Sequence, residues 1–167
     1  ILHLNTRSIR NKEQQLSDLY ASITHSFDIL MYTETWLTET EKPPHFHGYS
    51  YNGFVRSSGR GGGIAIYVKT SLRHAIISEC SVINSSVECM SVRLQKLIVV
   101  VIYRPPMGNK IDFFLVFRAY AFFLCRFLMT FVIMRDVNIG MLSSNTAAKK
   151  FIETIHSLPI LSRKPQD

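Results

Sequence analysis

Five polar residues of this chain stand where they could do chemistry together. Asn5 closes an apolar run at residues 1–4, Glu34 follows one at 27–32, and Tyr103 follows one at 97–102. Asp136 and Asn138 follow a fourth at 131–134. Short apolar runs of this kind read as buried strands. Strands of a packed sheet finish at a common edge, where loops gather side chains over a cleft. A carboxylate beside amide and phenol groups suits a hard divalent cation such as Mg2+, which takes oxygen ligands and keeps several waters. Zinc does not suit them, because no His or Cys stands at ligand spacing. Each residue alone also has an ordinary use, since Asn and Asp form turns and Tyr before proline ends strands. Their recurrence in one setting is what points to a site.

The elements that must position these residues follow from periodicity. Residues 11–23 carry Leu16, Leu19, Tyr20 and Ile23 at helical spacing, with Lys12, Glu13 and Gln14 elsewhere on the surface. A loop rich in Pro, His and Gly spans 41–53, where Pro43 and Pro44 forbid regular structure. Residues 57–63 (SSGRGGG) read as a flexible basic turn opening into a strand at 64–68. Runs at 87–94 and 97–103 predict a hairpin across Gln95-Lys96, stopped by Pro105-Pro106. A helix and a strand fill 113–134, and a last helix is expected at 146–158, where Phe151, Ile152 and Ile155 mark one face. Strands with short crossover helices and no linker or repeat indicate one α/β domain over 1–167.

Composition narrows the classes. The 167 residues are 47% hydrophobic, enough for a substantial core, so disorder is excluded. Nineteen Lys and Arg against twelve Asp and Glu give +7, a balance that favours a polyanionic partner. Cys80, Cys89 and Cys125 form no pair at metal or redox spacing, so they read as small buried hydrophobes in a reducing compartment. The start lacks an initiator Met and a leader, and reads as a fragment of a protein that is nuclear or cytoplasmic rather than secreted. Residues 113–134 are long enough to cross a bilayer. Arg118 and Arg126 interrupt them at ~2.5–3.5 kcal/mol each near a helix centre, so a membrane is not the expected partner.

The blocks LNTRSIRNK (4–12), DILMYTETWL (28–37), GRGGGIAIYV (59–68), VIYRPP (101–106) and FVIMRDVNI (131–139) occur in this order. Together they resemble the apurinic/apyrimidinic-type endonuclease domain of LINE-type (non-LTR) retrotransposons, in the exonuclease–endonuclease–phosphatase superfamily. The resemblance implies a two-sheet α/β sandwich with outer helices that hydrolyses a DNA phosphodiester with Mg2+, or Mn2+ in its place, and no small-molecule cofactor. It implies Glu34 as the metal-binding carboxylate and Asn5 as the residue that helps place the metal. It implies that Tyr103 lies near the scissile phosphate, that Asp136 helps activate or orient the attacking water, and that Asn138 holds the phosphate. It also implies that, in a full-length element, a reverse-transcriptase domain would accompany this one in cis. Arg7, Arg10, Lys12, Arg56 and Arg60 are candidate contacts to backbone phosphates.

Two departures from the family pattern set further expectations. Arg135-Asp136-Val137-Asn138 stands where the family has Gly-Asp-Phe-Asn, so Arg135 is expected to crowd Asp136 and weaken it as a base. The pattern also continues into further strands and a closing Ser-Asp-His block that the 167 residues do not include, so activity is expected to be weak or absent, with an exposed sheet edge. None of the six histidines sits in such a block. The segment 113–127 is more apolar than a surface helix requires, which reads as sequence drift. The competing readings are a nucleic-acid-binding remnant without catalysis and a protein anchored in a membrane through 113–134.

Overall fold

The computed structural model describes residues 1–56, 61–124, 126, 129–139 and 146–156. Two sheets pack face to face with helices outside. The first sheet has the order β1-β2-β4-β3, from β1 (Leu2–Asn5), β2 (Ile29–Thr33), β3 (Tyr49–Phe54) and β4 (Ile64–Lys69). The second has the order β5-β7-β8-β9, with β6 beside β7. Its strands are β5 (Ala75–Ile76), β6 (Val82–Ile83), β7 (Glu88–Arg93), β8 (Leu97–Tyr103) and β9 (Thr130–Asp136). The helices are α1 (Glu13–Ser22), α2 (Lys110–Leu124) and α3 (Thr146–His156). The two-sheet sandwich expected from the sequence is the observed architecture.

The continuous apolar runs are explained by burial on both faces of each central strand. Alternate residues of β2, β4, β7 and β8 (Met31, Ile66, Val92, Val99 and Val101 among them) fill the layer between the sheets. The other face of the first sheet offers Leu30, Tyr32, Ala65 and Tyr67 to Leu16 of α1, Phe46 and Ile9. The other face of the second sheet offers Cys89, Ile98, Val100 and Ile102 to α2 and to Phe151 of α3. Cys80 and Cys89 are buried free thiols, and burial pushes them up to about 11 and about 12, so both stay protonated and inert. Cys125 lies outside the described residues.

Three expectations need correcting. Residues 49–54 form β3, paired along its whole length with β4, rather than the end of a loop. The stretch is polar and holds Gly53, so its strand character comes from pairing with a buried neighbour. The short strands β5 and β6 also escaped the sequence reading, being two residues each. Finally, α2 is apolar for a structural reason: Phe113, Phe114, Phe117, Tyr120, Ala121 and Leu124 are all buried against the second sheet and Phe151. The rings of Phe113 and Phe117 stack with centroids 5.8 Å apart. No helix among the described residues is long and apolar enough to cross a membrane, because the apolar segment divides into α2 and β9.

Strand direction decides where the chemistry falls. β1 runs parallel to β2 and β8 parallel to β9, and the contact of Asn5 with Asp136 places the ends of both pairs on the same side of the sandwich. In register, Asn5 lies beside Thr33 and Tyr103 beside Asp136. β4 and β7 are antiparallel to their neighbours, which brings their first residues to that same edge: Ile64 beside Thr33 and Glu88 beside Tyr103.

Candidate active site

Asn5 joins the two sheets. Its Nδ2 donates to Glu34 Oε1 at 2.8 Å and to Asp136 Oδ2 at 2.6 Å, while its Oδ1 accepts from the Arg7 amide at 3.1 Å. Tyr103 is buried and donates its hydroxyl to Glu34. Burial, with the Glu34 charge beside it, pushes the phenol far above its ordinary value, so it acts as a hydrogen-bond donor and not as a phenolate. Four of the five residues singled out from the sequence therefore meet around one amide. Asn138 sits a turn away, with Nδ2 donating to the Arg104 carbonyl at 2.8 Å.

Glu34 is presented by a constrained backbone. Its φ is 55° and that of Trp36 is 56°, left-handed values that cost roughly 1–3 kcal/mol each for a residue with a side chain. Two loops hold them there. From one side, Ser8 N donates to Glu34 O at 2.8 Å and Ile9 N to Thr35 O at 2.9 Å. From the other, Thr35 N donates to Gly63 O at 3.2 Å and Trp36 N to Gly62 O at 2.9 Å.

The glycines of that second loop are sterically required. Gly62 and Gly63 have φ of +75° and +87°, and a Cβ would overlap Glu88 Oε1 at the first and Thr35 Oγ1 at the second. Residues 61–63 are thus tightly packed, contrary to the flexible turn expected, and 57–60 lie outside the described residues. Beneath them is a group the sequence reading missed. Glu88 is wholly buried, paired with Arg56 and accepting from Gly63 N at 2.7 Å. Burial raises its carboxyl above the ordinary range while Arg56 opposes the shift. A lone Glu opening an apolar strand is the signal that could have revealed it.

The expected basic contacts behave differently from one another. Arg7 is exposed and makes no ion pair among the described residues. Arg10 is bound to Glu41 at 2.7 Å, and Lys12 Nζ donates to Thr6 O at 2.7 Å. Arg56 is turned inward to Glu88, and Arg60 lies outside the described residues. A cleft of about 300 Å3 lined by Ser8, Arg10, Trp36, Thr38 and Arg56 runs beside the Glu34 loop.

Arg135 does not crowd Asp136. Along β9, Met134 packs into the layer between the sheets, whereas Phe131 and Ile133 face the helices. Arg135 follows the second set and places its guanidinium 4.7 Å from the Phe151 ring centre. His3 shares a face of β1 with Asn5 and feels the Asp136 charge. Burial outweighs that charge and lowers its pKa, so the imidazole is neutral near pH 7.

The donors present fit a hard cation. Glu34 and Asp136 are carboxylates brought together at a solvent-facing edge, and Mg2+ is held by one or two carboxylates with water and substrate phosphate completing its shell. Among the described residues no group of three or more His, Cys, Asp or Glu forms a closed metal cage.

The architecture is shared with solved structures that include a retrotransposon endonuclease domain and an exonuclease. The chain superposes on the endonuclease domain of TRAS1, a telomere-specific non-LTR retrotransposon, with a TM-score of 0.66 at 12% identity, covering 94% of this chain and 69% of that one. It superposes on the 3'-5' exonuclease NExo of Neisseria meningitidis with a TM-score of 0.65 at 14% identity, covering 94% and 70%. A Neisseria NExo structure, described as a 3' phosphatase bound to a product DNA hairpin, gives 0.61 at 14% identity, covering 94% and 69%. No protein-family model matches the sequence, and no curated protein matches it. The likeness establishes the fold alone, the two-sheet α/β sandwich that this chain shares with these structures.

Proposed function

We propose that this chain is a divalent-metal-dependent DNA endonuclease domain of the kind found in LINE-type retrotransposons, nicking DNA by phosphodiester hydrolysis. The observation that carries this reading is the meeting of Glu34, Tyr103 and Asp136 around the Asn5 amide at the shared end of four strands. Glu34 and Asn5, with Asp136 beside them, are the residues that would hold Mg2+ or Mn2+. The bound cation would supply Lewis-acid stabilisation of the charge that builds on the phosphoryl oxygens. Asp136 accepts a proton from the attacking water, and Tyr103, held protonated near the reacting phosphate, donates its hydroxyl to Glu34 and orients that carboxylate. Asn138 donates to a phosphate oxygen, and Arg7 and Lys12 steer the DNA backbone.

Incubation with supercoiled plasmid tests the reading. Conversion to open circles should require Mg2+ or Mn2+, stop with EDTA, and vanish in Glu34→Ala and Asp136→Ala. The competing reading, DNA binding without cleavage, draws on the same basic surface. It is the outcome if salt-sensitive binding is seen and no metal supports nicking.

A further inference from the structure

Arg104 is an arginine that its surroundings do not explain as a surface charge. Only 1% of it is exposed, and no carboxylate pairs with it among the described residues. Its guanidinium instead faces main-chain carbonyls of two loops. Nε donates to Val137 O at 2.7 Å, Nη2 to Asn138 O at 2.8 Å, and Nη1 to Gly108 O at 2.7 Å. Its own backbone completes the enclosure: Arg104 N donates to Asp136 O at 2.9 Å, and Arg104 O accepts from Asn138 Nδ2 at 2.8 Å.

Burying a cation without an anion costs several kcal/mol unless polar groups replace its hydration. Here carbonyl dipoles do so, and the return is geometric. Asn138 has φ of 47°, a left-handed conformation that persists only where its surroundings hold it. The bonds to Arg104 hold residues 137 and 138 through their carbonyls, residue 136 through its carbonyl, and the Asn138 side chain through its amide. Lysine could reach one carbonyl but not fork to three, and an apolar residue would leave them buried and unsatisfied.

We propose that Arg104 is a positioning residue which, from behind the site, sets the turn carrying Asp136 and Asn138 in its working geometry. The proposal rests on the endonuclease reading of this site and adds to it a residue that touches neither cation nor DNA. Displacement of a reacting group by 1 Å costs about 100-fold in rate, so the clamp's loss should appear in turnover and not in DNA affinity.

The test compares the full chain with Arg104→Lys in two measurements. In 1H–15N spectra, the Asn138 side-chain amide pair of the wild type should be shifted and slow to exchange. In Arg104→Lys it should move to the position of a solvated asparagine, while β1, β2 and β4 signals stay in place. In plasmid nicking with saturating Mn2+, the single-turnover rate should fall about 100-fold with half-saturating DNA changed less than about threefold. A folded Arg104→Lys chain whose Asn138 signals and nicking rate match the wild type overturns the proposal. If that variant does not fold, wild-type exchange decides. Protection of the Arg104 Nε and Asn138 Nδ2 protons supports the clamp, and exchange at the solvent rate overturns it. A wild type that neither nicks nor relaxes solvent water through bound Mn2+ removes the endonuclease reading, while the Asn138 signals still decide the clamp.

Discussion

Glu88 and Arg135 show how single residues here take their character from which face of a strand they occupy. Glu88 points between the sheets, and its carboxyl is raised above the ordinary 4.5 by burial in spite of Arg56. An acid whose folded pKa is raised holds its proton more tightly in the folded chain. The stability this contributes is present below pH 4.5 and lost as pH rises through the folded value. Melting temperatures from pH 4 to 8 should therefore fall in the wild type relative to Glu88→Gln, which keeps an acceptor for Gly63 N. Parallel profiles for the two chains would show that Glu88 is ionised at no cost. Arg135 points the other way, onto Phe151, so Arg135→Ala should lower stability by ~0.5–2 kcal/mol in urea denaturation. The same variant should leave plasmid nicking within about threefold of the wild type. A large gain in nicking would mean that Arg135 does reach the site.

At the scale of elements, the loop at 61–63 and the loop at 6–9 act as two jaws on residues 34–36, and neither is a regular structure. Alanine at Gly63 must adopt a left-handed backbone and also displace Thr35 Oγ1. Gly63→Ala should cost at least ~1–3 kcal/mol, read by urea denaturation, and weaken Mn2+ binding, because the loop it loosens carries Glu34. Unchanged Mn2+ affinity would separate this loop from the metal-binding carboxylate. Helix α2 shows the same dependence on context. Its inner residues meet both the sheet and α3, while Ile111, Leu115 and Phe122 remain exposed on its outer side.

For the whole molecule, the count of nineteen Lys and Arg overstates the cations free to meet DNA. Arg10, Arg56 and Lys69 are bound to Glu41, Glu88 and Asp28, and Arg104 is enclosed. Each phosphate neutralised contributes about 0.9 to the slope of log affinity against log salt. Arg7→Ala should reduce that slope by about one phosphate's worth, as measured by fluorescence anisotropy at several salt concentrations. An unchanged slope would place the DNA away from the loop that follows β1.

The helices, the long central strands and the polar residues that end them were legible in the sequence, because burial on both faces leaves uninterrupted apolar runs and a polar residue ending such a run is conspicuous. Asn5, Glu34, Tyr103 and Asp136 could be named from that alone, and the ordered blocks suggested their roles. Arg104 could not, since an isolated charge in sequence looks the same whether it meets water or a carbonyl, and Glu88 was passed over although its place opening an apolar strand was a signal. β3 was missed because its strand form depends on a partner 10 or more positions away in the chain. The direction of Arg135 was also beyond the sequence, since it depends on the pairing register that turns alternate residues of β9 toward the helices. The chain's local pattern thus determined which residues end the strands. Only tertiary structure decided that parallel pairing brings those ends to one edge, that one amide bridges two carboxylates there, and which of the cations are already taken by partners inside the fold.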